Sequence, residues 1–223
     1  MYINNIPITE FGGQLEAGYT VSGVSVTSSY TAGLNGSSIL PLGHTFGLKT
    51  ITLPITFSAA TPEQVEALYS RFCAMAAVQG TVELVLPERR QYTALLQSID
   101  NETWITPNHM SVQFVFVGYR HGDLQTGGSK VYCMSTLPET DCRLTATATA
   151  DAARYIIGTV TALDVKKGET IQIDGFNKQI LINGSPAAQR AEWIRFPTLE
   201  PGENNIDCTE PDQLIAEYYP AYF

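Results

Sequence analysis

Three histidines, at positions 44, 109 and 121, are the first residues to weigh for chemistry, because imidazole is the commonest neutral-pH base and metal ligand. His44 falls in a Gly-rich stretch, His109 just before an apolar alternation and His121 in an aperiodic segment. No two share the spacing of a metal site, and none stands beside a recognisable Ser or Cys nucleophile. Capping or loop roles account for them. Four cysteines, Cys73, Cys133, Cys142 and Cys208, include no Cys-x-x-Cys pair. They read as reduced thiols of a protein made in cytosol, with a Cys133–Cys142 bridge as the alternative in an oxidising compartment.

The carboxylates offer two further chemistries. Glu63, Glu66, Glu83, Glu88, Asp100 and Glu102 lie on a helix surface or beside turns, where solvation explains them better than a glycosidase pair. Glu200, Glu203, Asp207, Glu210, Asp212 and Glu217 form an acidic run without a base among them, yet the twelve-residue calcium loop is missing. No P-loop, dinucleotide fingerprint or Gly-x-Ser-x-Gly elbow occurs. Trp193 and the terminal tyrosines are candidates for stacking on sugars. The expectation is a protein without catalytic residues, metal or cofactor.

The elements that would position these groups are mostly strands. In 223 residues, 44% are hydrophobic and only 16% charged, so a core is within reach and the surface must be largely Ser, Thr, Asn and Gln. The net charge of −9 divides as 5 − 8 = −3 before His121 and 8 − 14 = −6 from there on. Neither half has the basic face that a phosphate backbone requires. No signal peptide is expected at the start, and no apolar run reaches transmembrane length.

"TITLPITF" (50–57) alternates throughout, and Pro54 suggests either a sheet edge open to another subunit or pairing only where its backbone nitrogen faces away from a neighbour. "TPEQVEALYSRFCAMAAVQG" predicts one helix over about 62–78, capped by Thr61 with Gln64 and ended by Gly80. "TVELVLP", "QYTALLQSI" and "HMSVQFVFVGY" follow as strands. Residues 120–130 break the pattern, which places a first domain at 1–121, a linker at 122–130 and a second domain at 131–223. In that second domain "ETIQIDGFNKQILING" reads as hairpins turning at Asp174-Gly175 and Asn183-Gly184, with turn signals at the spacing of a β-sandwich. Pro201 and Gly202 in "FPTLEPGENNI" have the order of a type II turn, which Asn204 and Asn205 then bridge to a strand.

Together, Ile173-Asp174, Asn183-Gly184 and the Leu199, Pro201, Gly202, Asn204 series resemble the C-terminal domain of the distal tail proteins of long-tailed bacteriophages and prophages. "INNIPI", the alternating strand and the capped helix resemble that family's ring-forming domain more loosely. The resemblance implies a mostly β fold: an N-terminal barrel or sandwich with one helix, forming a hexameric ring, and a galectin-like sandwich outside it. It also implies a structural hub in the virion tail tip, assembled in the bacterial cytoplasm, whose partners are its own copies, the tail tube protein and a tail-tip or baseplate protein. DNA would pass through the ring without a dedicated binding surface, and no membrane is involved. Host glycans are the partners of an alternative, carbohydrate-binding reading, and a hydrolase with carboxylates assembled in space is a third. Within the long loop at 31–48, Leu34, Ile39, Leu40 and Phe46 are the expected contacts to subunits or to the adjacent ring, together with Pro54.

Overall fold

The computed structural model of the chain describes residues 1–33, 38–77 and 80–223. It is mostly β, with one α-helix, and divides into two compact units: Met1–Arg120 with Phe223, and His121–Tyr222. Among the described residues no sheet closes into a barrel.

The first unit is built on an open sheet. Short strands β1 (Tyr2–Ile3), β2 (Ile6–Pro7), β3 (Gly13–Leu15) and β4 (Thr20–Val21) precede a separate hairpin, β5 (Val26–Ala32) and β6 (Ile39–Phe46). Then come β7 (Lys49–Ser58), helix α1 (Pro62–Ala76), β8 (Val82–Val85), β9 (Gln91–Thr106) and β10 (His109–His121). The sheet runs β2-β1-β8-β9-β10-β7-β3, with β4 also on β7. Alternation in β7 puts Ile51, Leu53, Ile55 and Phe57 on the buried face, as its sequence requires. Phe72 of α1 meets Phe57 and Phe114 edge-on at 5.5 and 4.9 Å, so the helix's apolar stripe covers the sheet. Thr61 caps the helix by accepting from Gln64 N at 3.4 Å. Ala77, not Gly80, is the C-terminal cap.

β7 is not an edge. It lies between β10, where Pro54 faces Gln113, and β3 with β4 on its other side. Pro54 is tolerated because it sits where β3 has ended and β4 has not begun. Its carbonyl accepts from Glu16 N at 2.9 Å, and its ring nitrogen, on the same side, meets no ladder donor requirement. β9 also runs further than its periodicity indicates, through exposed residues to a tight turn at Pro107-Asn108.

The second unit is a sandwich of short strands. Its larger sheet takes β11 (Gln125–Gly127), β13 (Thr140–Thr147), β16 (Thr170–Asp174), β17 (Gln179–Ile182), β18 (Ser185–Pro186) and β22 (Ile215–Tyr218), in the order β11-β22-β13-β16-β17-β18. Facing it are β14 (Ala152–Ile157), β15 (Val160–Val165) and β19 (Ala191–Trp193). β12 (Lys130–Cys133) pairs with β21 (Gly202–Asn205), and β20 (Thr198–Leu199) with β13. Leu144, Ile171, Ile173 and Ala216 from one sheet share a core with Tyr155, Ile157, Val160 and Ala162 from the other. Residues 122–130, which lack periodicity, nevertheless supply β11 to the larger sheet by pairing with β22.

Candidate assembly surface

The segment expected as a long loop at 31–48 belongs to a two-stranded ribbon. β5 and β6 pair from Val26↔Phe46 to Ala32↔Ile39, with a register slip at Leu42 that leaves it without a partner residue. Hydrogen bonds from Gly47 N to Ser25 O (2.8 Å) and from Gly33 N to Ser38 O (2.9 Å) close its two ends. Ser28 Oγ and His44 Nδ1 share a hydrogen bond of 2.9 Å across the strands.

Among the described residues the ribbon joins no other sheet, and every residue of both strands is exposed. Cross-strand partners share a face, so Val26, Tyr30, Ile39 and Phe46 line one side while Leu40 lies on the other. Ile39 is 72% exposed and Leu42 64%. Phe46, at the foot, meets the Phe223 ring at 5.1 Å. Leu34 lies outside the described residues. Residues 17–48 contain no Asp, Glu, Lys or Arg, in a chain of charge −9. A lone two-stranded hairpin is marginal in water, and this one carries exposed Val26, Tyr30, Ile39 and Phe46 on one face, interrupted by the Ser28–His44 pair.

The residues of the turn signature have structural work instead. Asp174 is buried: Oδ1 accepts from Phe176 N and Asn177 N at 2.9 and 3.0 Å, while Oδ2 accepts from Asn177 Nδ2 and Arg143 at 3.0 and 3.1 Å. Burial works against its charge, but these donors outweigh it and hold the carboxyl below its ordinary value. The turn spans four residues rather than two, with Lys178 supplying the positive φ of 55°. Gly175 is needed for another reason: its N donates to Cys142 O at 3.0 Å, and a Cβ there would strike that carbonyl.

Asn183 and Gly184, at φ 50° and 76°, make the expected two-residue turn between β17 and β18. Gly202 has φ 95°, as the turn after Pro201 requires. Asn204 locks that turn: Oδ1 accepts from Glu200 N at 2.9 Å, and Nδ2 donates to Glu200 O and Gly202 O at 2.8 and 3.0 Å.

The other groups considered for chemistry are dispersed. His109 shares a hydrogen bond of 2.8 Å with Thr106, and His121 one of 2.9 Å with Gly122 O. Glu210 holds Thr149 and the Tyr155 hydroxyl, and Glu169 holds Arg190; both carboxyls are lowered by those hydrogen bonds. All four cysteines are free thiols, and burial pushes Cys142 up to about 12. Among the described residues no cluster of His, Cys, Asp and Glu has the form of a metal site, and no helix is long and apolar enough to cross a membrane. Trp193 is 41% exposed at the rim of the smaller sheet, so it is not a core residue.

Two units, an open sheet under one helix and a β-sandwich, define the architecture. No family model and no curated protein matches the sequence. Among solved structures, the chain is similar to the SPP1 Dit (gp 19.1) protein, described as a paradigm of the hub adsorption apparatus in phages infecting Gram-positive bacteria. The TM-score is 0.71 over 99% of this chain and 98% of that one, at 11% identity. It is also similar to a chain of the phage P2 baseplate in its activated conformation with Ca, with a TM-score of 0.59, 10% identity and coverage of 96% and 92%. The same baseplate with Sr gives 0.59, 10%, 95% and 91%. The chain therefore has the fold of a phage tail hub protein along its whole length.

Proposed function

We propose that the chain is a non-enzymatic structural hub of a phage tail tip, in which the first unit forms a ring, six-fold by the sequence resemblance, between the tail tube and a baseplate or tail-tip protein. The observation that carries this reading is the uncharged, wholly exposed ribbon of β5 and β6, set on a fold matched end to end by a hub protein. Exposed apolar residues on a ribbon that joins no other sheet among the described residues are explained if a neighbouring subunit or ring supplies the cover. Ile39, Leu40 and Phe46 are the contacts this assigns. Pro54, inside the sheet, is better explained by the local pairing.

The test is light scattering with negative-stain imaging of the purified chain, alone and with tube protein. A six-fold ring with a central opening is expected. A single copy under both conditions would overturn the reading.

Sugar binding by the second unit is the other reading, and it draws on the exposure of Trp193. The nearest ring, Phe196, is tilted by 53° at 6.4 Å, so the two do not form a common stacking platform. A glycan array decides it: specific binding lost in Trp193→Ala would support it.

A further inference from the structure

The ribbon is joined to the sheet of the first unit by two short connections, 22–25 before β5 and 47–48 after β6. Where the first leaves the sheet it is fixed: Ser22 N donates to Thr50 O at 2.8 Å, and Thr50 N to Ser22 Oγ at 2.8 Å. Beyond that point little sets the angle of the ribbon. Gly23 has open space around it, and Leu48 is 56% exposed, so neither connection is packed down. The bond from Gly47 N to Ser25 O ties the two connections to each other rather than to the sheet. Gly23 on one connection and Gly47 on the other can absorb a swing of the whole ribbon.

A side chain from outside the ribbon meets it at this foot. The Phe223 ring approaches Phe46 edge-on, with centroids 5.1 Å apart and planes at 63°. Phe223 groups with the first unit, although residues 121–222 form the second. Phe46 is accordingly the least exposed of the ribbon's large apolar residues, at 36% against 62% for Tyr30 and 72% for Ile39. Phe223 is itself half-exposed, so it fills no core.

We propose that Phe223 is a positioning residue: by bracing Phe46 it fixes the angle of the ribbon and so presents Ile39, Leu40 and Leu42 to the neighbouring subunit. This rests on the ribbon being the assembly contact, and it adds what aims that contact. Leverage makes one pair matter. From Phe46 to Ile39 the strand runs seven residues, about 23 Å, so a swing of about 10° at the foot moves the far end by about 4 Å. A shift of that size takes Ile39 out of contact with a fixed partner surface. Held at one angle, the ribbon also has less freedom to lose on association, so the gain is in affinity rather than in folding.

Phe223→Ala in the full chain should weaken ring formation by roughly twofold to tenfold per contact, the worth of one edge-to-face pair, with an unchanged melt. Phe223→Tyr should restore it. In a Phe46→Ala chain, Phe223→Ala should add nothing further, because the brace acts through Phe46. A second measurement needs no ring: in the Ile39→Ser, Leu40→Ser, Leu42→Ser chain, Phe223→Ala should speed amide hydrogen exchange at the foot, over 26–28 and 44–46, by a similar factor while β7 and β10 keep their rates. Unchanged exchange at the foot would overturn the proposal, as would faster exchange with ring formation unaffected. A parent chain that forms no ring but shows the faster exchange would sink the assembly reading and leave the brace standing.

Discussion

The β5–β6 ribbon and the β16–β17 hairpin are alike in sequence chemistry and opposite in fate. The second places Ile171 opposite Ile182 and Ile173 opposite Ile180 on one face, and all four are buried because β14 and β15 lie across from them. Its outer strand is extended by β18, and its inner one pairs with β13. The ribbon has Val26, Tyr30, Ile39 and Phe46 on one face, yet among the described residues all are exposed, Phe46 meeting only the Phe223 ring at its foot. Hairpin formation is a local matter of turns and pairing; burial depends on what the rest of the chain supplies. Where the chain supplies nothing and the residues remain apolar, the proposed assembly is what would supply the cover.

Substitutions sharpen this difference. Ile173→Ala should cost about 2–5 kcal/mol, because it empties a packed site in the sandwich, and a denaturant titration of the full chain would show it. Asp174→Ala follows at about 2–3 kcal/mol, discounted because Arg143 is partly exposed, since it removes the acceptor of the turn and leaves Arg143 short of a partner.

The same carboxylate gives a pH dependence. Its folded pKa is depressed, so its contribution is present above the unfolded value of about 3.9 and is lost as pH falls through the lower folded value. Glu169 and Glu210 act in the same sense. Thermal melts should therefore show the second unit weakening below about pH 4, with Asp174→Asn flattening that slope. The ribbon has no carboxylate to titrate.

Gly202→Ala should cost about 1 kcal/mol, the penalty of a side chain at φ 95°. At the small end, Ile39→Ser with Leu40→Ser should move the stability of the isolated chain by less than about 0.5 kcal/mol, as expected for exposed positions. If those two cost as much as Ile173→Ala, the ribbon has a cover within its own chain and the contrast fails.

Much of the fold is legible in the sequence where local rules and burial agree. The alternation at 50–57, the Thr61 cap and the turns at Asn183-Gly184 and Pro201-Gly202 all carry their own physical reasons. The misreadings arise where a neighbour distant in sequence decides. Of the two readings of Pro54 the edge fails and the other holds, its nitrogen lying where β3 and β4 leave a gap opposite it. Gly175 looks like a turn glycine, but the carbonyl of Cys142 is what excludes a side chain there. Asn204's clamp on Glu200 is local, four residues apart, and the crowding of amides in "ENNI" was its visible sign.

The ribbon itself is obscured because Gly33, Pro41, Gly43 and Gly47 interrupt its alternation and the slip at Leu42 reverses it. Its usable signal is the run from 17 to 48 without a charge, apolar and yet rich in Ser, Thr and Gly.

The central claim is that the ribbon's cover is another subunit. Light scattering of the full chain beside its Ile39→Ser, Leu40→Ser, Leu42→Ser variant tests it most directly, with a thermal melt of each as the control for folding. The account predicts a ring-sized mass for the parent chain, a fall to a single copy for the variant, and melts that coincide. An unchanged ring in the variant would contradict it.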